Sequence, residues 1–188
     1  MKRISFLNFT FLSFTMFLAV SAGAFAQSAD DAVEKALSAA PPQMKEGATV
    51  VKWNADFTYE TVKKGTNRLV CFDRTGQPGQ QPFAAECTSI ANLDRVAQNL
   101  KYEAMGDKAT VQAALDAAEK AGTRVKPEFG SLWIHVSGPD AAHTRKHVTV
   151  AVPGATAQSM GLPDNPKQGG MWIMNAGTTT AHLMTPGQ

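Results

Sequence analysis

Thr88 to Gly122, TSIANLDRVAQNLKYEAMGDKATVQAALDAAEKAG, carries two helical patterns in succession. Thr88 or Ser89 can cap the first. Its apolar residues Ile90, Leu93, Val96, Ala97, Leu100, Ala104 and Met105 recur at three- and four-residue intervals, and Gly106 is a natural stop. Thr110 is the expected cap of the second, which runs through Val111, Ala114, Leu115 and Ala118 to Gly122 just past its end. Both are amphipathic, so both are expected to lie on a sheet.

The sheet is sought on either side of this pair. Upstream, Asp30 to Ala40 reads as a helix with Ala32, Val33, Ala36, Leu37 and Ala40 on one stripe, ended by Pro41-Pro42. Thr49 to Trp53, Phe57 to Lys63 and Arg68 to Phe72 read as strands. Lys64-Gly65-Thr66-Asn67 turns between the last two, and an antiparallel meander is the simplest account. Downstream, Leu132 to Val136, His147 to Val152, Met171 to Asn175 and Ala181 to Met184 are strand-like and separated by Gly- and Pro-rich turns. Strands in runs at both ends with helices between predict an α+β fold: a largely antiparallel sheet of about seven strands with three helices, two of them inserted mid-chain.

The chain opens with Lys2 and Arg3, has no acid before Asp30, and runs from Ile4 to Val20 mostly in Phe, Leu, Ala, Met and Val. Ala24 and Ala26 follow in an A-x-A arrangement. The segment 1–26 is therefore expected to be a signal peptide cut after Ala26, leaving residues 27–188 as a single globular domain in the periplasm or secreted. An uncleaved anchor is the competing reading, because the apolar run approaches bilayer length, but Asn8, Thr10, Ser13 and Thr15 dilute it. Loss of Lys2 and Arg3 brings the 18 bases down to match the 16 acids. A neutral chain without a basic run lacks the footprint of nucleic-acid binding, and no later apolar run is long enough to span a membrane.

Two cysteines, Cys71 and Cys87, lie in the expected mature part. In an oxidising compartment they are expected to pair, clamping a segment rich in Gly, Pro and Gln that has little apolar material to hold it down. The loop is about 16 residues, worth about 3 kcal/mol by chain entropy. A redox pair would normally be a C-x-x-C.

Of the four histidines, His135, His143 and His147 fall close together. His143 and His147 have ligand spacing only on a helix, whereas Val148-Thr149-Val150 reads as strand, and no Glu or Cys completes a zinc pattern. Met160, Met171, Met174 and Met184 stand near His182, a set whose thioethers and imidazole suit copper. Methionine is also an ordinary core filler, and Met171 and Met174 would point to opposite faces of a strand. No nucleophile elbow, phosphate loop or H-E-x-x-H is present, and no cofactor is expected.

Ala36-Leu37-Ser38-Ala39-Ala40-Pro41-Pro42, Gly47-Ala48-Thr49-Val50, Gly65-Thr66-Asn67 with Cys71 after it, and the tail Gly170 to Pro186 occur together. In this the chain resembles a family of uncharacterised exported bacterial proteins with SAAPP, GATV and GTN motifs, two cysteines and a closing H-L-M. The resemblance implies export and supplies no reaction. It singles out His147, a strand histidine, and His182, the histidine of the closing motif. Arg68 and Thr178-Thr179-Thr180 depart from the family pattern. With Trp133 and Trp172, the two histidines are the expected ligand-binding residues, holding a small molecule by stacking and hydrogen bonds. The expected function is non-catalytic binding of a small ligand or an envelope partner. The alternative is an enzyme, or a copper or zinc protein, that uses the same histidines as general base or ligands.

Overall fold

The computed structural model describes residues 22–185, with side chains from Asp30 onward. The expected leader lies outside the described residues except for 22–26, which open the first helix. Helix α1 spans Ala22–Leu37 and α2 spans Pro42–Lys45. The two prolines thus separate helices rather than only ending one. Pro42 sits in the first turn of α2, where a missing N–H costs nothing.

Strands β1 (Thr49–Trp53), β2 (Tyr59–Lys63), β3 (Leu69–Asp73) and β4 (Phe83–Ser89) follow, then α3 (Leu93–Glu103) and α4 (Lys108–Lys120). The chain closes with β5 (Leu132–Gly138), β6 (Arg145–Ala151), α5 (Ala157–Met160), β7 (Trp172–Met174) and β8 (His182–Met184). All eight strands join one mixed sheet in the order β2-β1-β3-β4-β5-β6-β8-β7. The α+β class is as expected from sequence. One more strand is present than expected, because β4 begins inside the Gly/Pro-rich segment that reads as loop.

The first three strands do not form a meander. β2 pairs antiparallel on the outer side of β1, and β3 pairs with β1 in parallel on its inner side. The connection therefore has to cross the start of β1, and Gly65 is where it passes. A Cβ on Gly65 would stand 2.3 Å from the carbonyl oxygen of Gly47 and 2.4 Å from the Thr49 nitrogen, both backbone atoms that cannot yield. The crossing is pinned by Thr66 and Asn67 amides donating to the Gly47 carbonyl at 2.8 and 2.9 Å, and by Asn67 Nδ2 donating to Met44 O at 2.8 Å.

Because side chains alternate across a strand, the sheet buries two separate faces. One packs on α1: Ala36 and Leu37 meet Val50, Leu69, Cys71, Ala85, Cys87, Ile134 and Val136. The other packs on α3: Leu93, Val96 and Leu100 meet Val51, Val70 and Phe72, with Trp53, Phe57 and Trp133 at the margin. Cys71 and Cys87 are direct partners in the β3–β4 register and form the expected disulfide, fully buried under α1. Only one of the two mid-chain helices lies on the sheet. α4 buries Ala118 alone and leans on α3. Its cap is Asp107 rather than Thr110, the Asp107 carboxylate accepting from the Ala109 and Thr110 amides at 3.0 Å. Among the described residues no helix is long and apolar enough to cross a membrane.

Candidate ligand pocket

The α3 side of the sheet can be followed strand by strand from the register. Trp133 lies opposite Thr149, His135 opposite His147, and Ala151 opposite His182. His182 in turn lies opposite Met174, and Trp172 opposite Met184. Directly paired residues share a face, so all four residues singled out from sequence, Trp133, His147, Trp172 and His182, stand on the α3 face.

They do not share one pocket. Trp133 and His182 line a cavity of about 170 Å³ together with Arg95, Asn99, Pro127, Thr149 and Thr180. His147 is outside it, exposed on β6 and four residues from the Ala151 position opposite His182, which is about 13 Å along a strand. Its cross-strand neighbour is His135, whose Nε2 is 3.0 Å from Gln80 Oε1. Trp172 is on the outermost strand, beyond β8.

The charged wall of the pocket comes from α3, and sequence reasoning missed it. Asn92, Arg95 and Asn99 recur at helical spacing beside the apolar stripe, so they turn inward with it. Asn92 is fully buried and fully satisfied: its Nδ2 donates to Thr88 Oγ1 and Ser131 Oγ at 2.8 and 2.9 Å, and its Oδ1 accepts from the Glu128 amide. That network ties the start of α3 to β4 and to the start of β5, and so sets the depth at which Arg95 enters.

Arg95 is 3% exposed. Its Nη1 donates to Val125 O and to Thr179 Oγ1, and its Nη2 donates to Thr180 Oγ1 at 2.9 Å. None of these bonds uses Nε. Burial, reinforced by the neighbouring Arg124, pushes the guanidinium down to about 10, against the opposing pull of Glu119. It remains a cation at neutral pH. Arg124, 6% exposed, donates to Gln98 Oε1 and Asn99 Oδ1 at 2.8 Å and stacks 5.2 Å over the Tyr102 ring.

Among the described residues neither guanidinium is ion-paired with a carboxylate. Glu119 reaches Arg95 only through Thr179, whose hydroxyl and amide donate to it at 2.6 and 2.7 Å. Burial pushes Glu119 up, but the Thr179 bonds and the two arginines outweigh it, and its net shift is downward. Two buried cations thus face one anion. On the opposite wall, His182 Nδ1 stands 2.7 Å from Thr180 O. A carbonyl can only accept, so Nδ1 carries the proton and Nε2 presents a lone pair.

A second polar cluster on the same face is closed upon itself. Arg74, 4% exposed, donates to Glu86, Glu103 and Gln77. Burial pushes both carboxyls upward, and Arg74 only partly offsets it. His135 is held below its ordinary value by burial and then by Arg74 and His147. A larger cavity of about 550 Å³ opens between α1 and β1, lined by Val33, Ala36, Val50 and Trp53. Its one carboxylate, Asp73, is already within 3.4 Å of Lys35. Among the described residues no group of three or more His, Cys, Asp and Glu side chains is placed to hold a metal ion.

The fold and pocket define an α+β domain with a small cationic cavity on one sheet face. Comparison with protein families, with curated proteins and with solved structures yields no match.

Proposed function

We propose that this is an exported, non-catalytic domain that binds a small anionic ligand, a short carboxylate in chemical class, in the pocket between α3 and the β5–β6–β8 face. The observation that carries the reading is Arg95: a buried guanidinium on the pocket wall, beside a second buried guanidinium, with no carboxylate in contact with either. Two buried cations facing the single carboxylate of Glu119 leave positive charge uncompensated, which costs free energy, and a bound anion would offset that cost. Trp133 supplies a flat apolar wall, Thr149 a hydroxyl and Asn99 an amide that can donate. The volume is below that of a drug-sized site, so the ligand has few heavy atoms. Export draws on the leader pattern of residues 1–26 and on the disulfide, which persists in oxidising compartments.

Thermal unfolding with acetate, succinate or glutamate, against chloride at matched ionic strength, tests the reading. A ligand at a hundred times its Kd adds about 2.7 kcal/mol, or roughly 5–10 °C in a chain of this size. The gain is expected to vanish in Arg95→Met. It is expected to shrink in Asn99→Ala and Thr149→Val, two changes at less buried positions that keep the test informative if the arginine variant does not fold. Folded wild-type protein that no carboxylate stabilises beyond the salt control refutes the proposal.

A further inference from the structure

We infer that the β7–β8 hairpin carries a site for a soft monovalent cation, Cu(I) or Ag(I), built from His182, Met174, Met184 and Trp172. The register carries the inference. Met174 is directly opposite His182, and Trp172 directly opposite Met184. Alternate residues of one strand share a face, so the four side chains rise from the same side of a two-stranded corner, with directly paired Cβ atoms about 5 Å apart and diagonal ones about 7 Å. The sequence alone set Met174 against Met171; the pairing sets it beside His182 and Met184.

The donor set is an imidazole nitrogen, two thioether sulfurs and an indole face, with no carboxylate among them. Thioethers are soft ligands that select Cu(I) and leave hard oxygen-seeking ions unbound. The imidazole is already in the ligating form: Nδ1–H donates to Thr180 O and Nε2 is free, the arrangement by which a backbone carbonyl fixes a metal-binding histidine. The Trp172 ring adds the attraction of an aromatic face for a cation.

Core filling does not account for these methionines. The hairpin pays its debt to the core from its opposite face, through Ile173, fully buried, and Leu183, where Met160 also packs. Met174 is 44% exposed on the wet side. The site shares His182 with the ligand pocket but uses neither Arg95, Asn99 nor Thr149, so it does not rest on the carboxylate reading.

The protein produced from the full 188-residue chain is offered Cu(I) as its bicinchoninate complex under anaerobic ascorbate, and Ag(I) by calorimetry. One equivalent of each is expected to bind. Met174→Leu and Met184→Leu are each expected to weaken binding roughly tenfold or more, and His182→Ala to abolish it. Quenching of tryptophan fluorescence by Ag(I) is expected to be lost in Trp172→Phe. Met171→Leu, His147→Ala and Thr149→Val are expected to bind as wild type, the last separating this site from the pocket. Folded wild-type protein that leaves Cu(I) with the chelator, or undiminished uptake by folded Met174→Leu and Met184→Leu, overturns the inference.

Discussion

Reducing the Cys71–Cys87 bridge should lower stability by about 3 kcal/mol, the chain-entropy value for a closed loop of this length. The bridge joins positions 16 apart in sequence that face each other in the β3–β4 register. Between them run Gly76, Gln77, Pro78, Gly79, Gln80, Gln81 and Pro82, a stretch with no apolar anchor. The folded ladder holds the two cysteines together with or without the bond, so the loss belongs to the unfolded chain, which gains freedom when the link is cut. Urea unfolding with and without a phosphine reductant measures it. The midpoint should fall, and the urea slope should rise because the linear unfolded chain exposes more surface. In thermal scans the same loss is roughly 6–12 °C. Cys71→Ala with Cys87→Ala should cost about 1–2 kcal/mol beyond reduction, because both sulfurs fill a core that includes Ala36, Leu37, Ala85 and Ile134. A shift under about 1 kcal/mol with both thiols shown free would refute the entropic reasoning. A reduction loss equal to that of the double alanine variant would show that the sulfurs add nothing by packing.

Two other expectations follow from the fold. Gly65→Ala drives a methyl into three backbone atoms within 2.5 Å, so it should cost about 3 kcal/mol or more and show as a collapse of the urea midpoint. As a control, Gln112→Ala at an exposed helix site should leave the midpoint nearly unchanged. The Arg74 cluster sets a pH dependence. Glu86 and Glu103 hold protons more readily folded than unfolded, so the folded state binds more protons between the ordinary glutamate value and the raised ones. Stability from this source is therefore present at mildly acid pH and is lost as pH rises through the raised values. Glu103→Gln should flatten that slope in a pH series of unfolding curves; an unchanged slope would show that the carboxyl titrates at its ordinary value.

Elements whose sequence pattern is local were readable in advance. β1 was expected at its observed bounds, the α3 periodicity was plain, and the two cysteines were correctly paired. β4 was hidden for a physical reason. Phe83–Ser89 is a central strand buried on both faces, with no alternation of polar and apolar residues to mark it, and Ser89 does cap the short helical turn that leads into α3. The parallel β1–β3 pair was beyond local reading, because it depends on Gly65 passing over backbone that lies 16 or more residues earlier. The candidate site was half legible. His182 and Trp133 carry chemistry by type, whereas Arg95 looks like one more charged helix residue until Asn92 shows which way that edge of α3 turns. The grouping of His182 with Met174 was likewise a matter of register, and register across turns of Gly, Pro and Asn is not written in either strand alone.

The β7–β8 hairpin pairs with the main sheet at two positions, Val150 with Leu183 and Ala151 with His182, and its connecting loop is tied to α3 and α4 through Thr179 and Thr180, which bond Arg95 and Glu119. The opposite wall of the pocket belongs to α3 and to β5, which is laddered to its neighbours over six positions on either side. One wall is thus held by strand pairing, and the other is held in part by the pocket's own guanidinium. A guest that took over the Arg95 donors would compete with the bonds that fasten this corner, so occupancy of the pocket and attachment of the hairpin are linked.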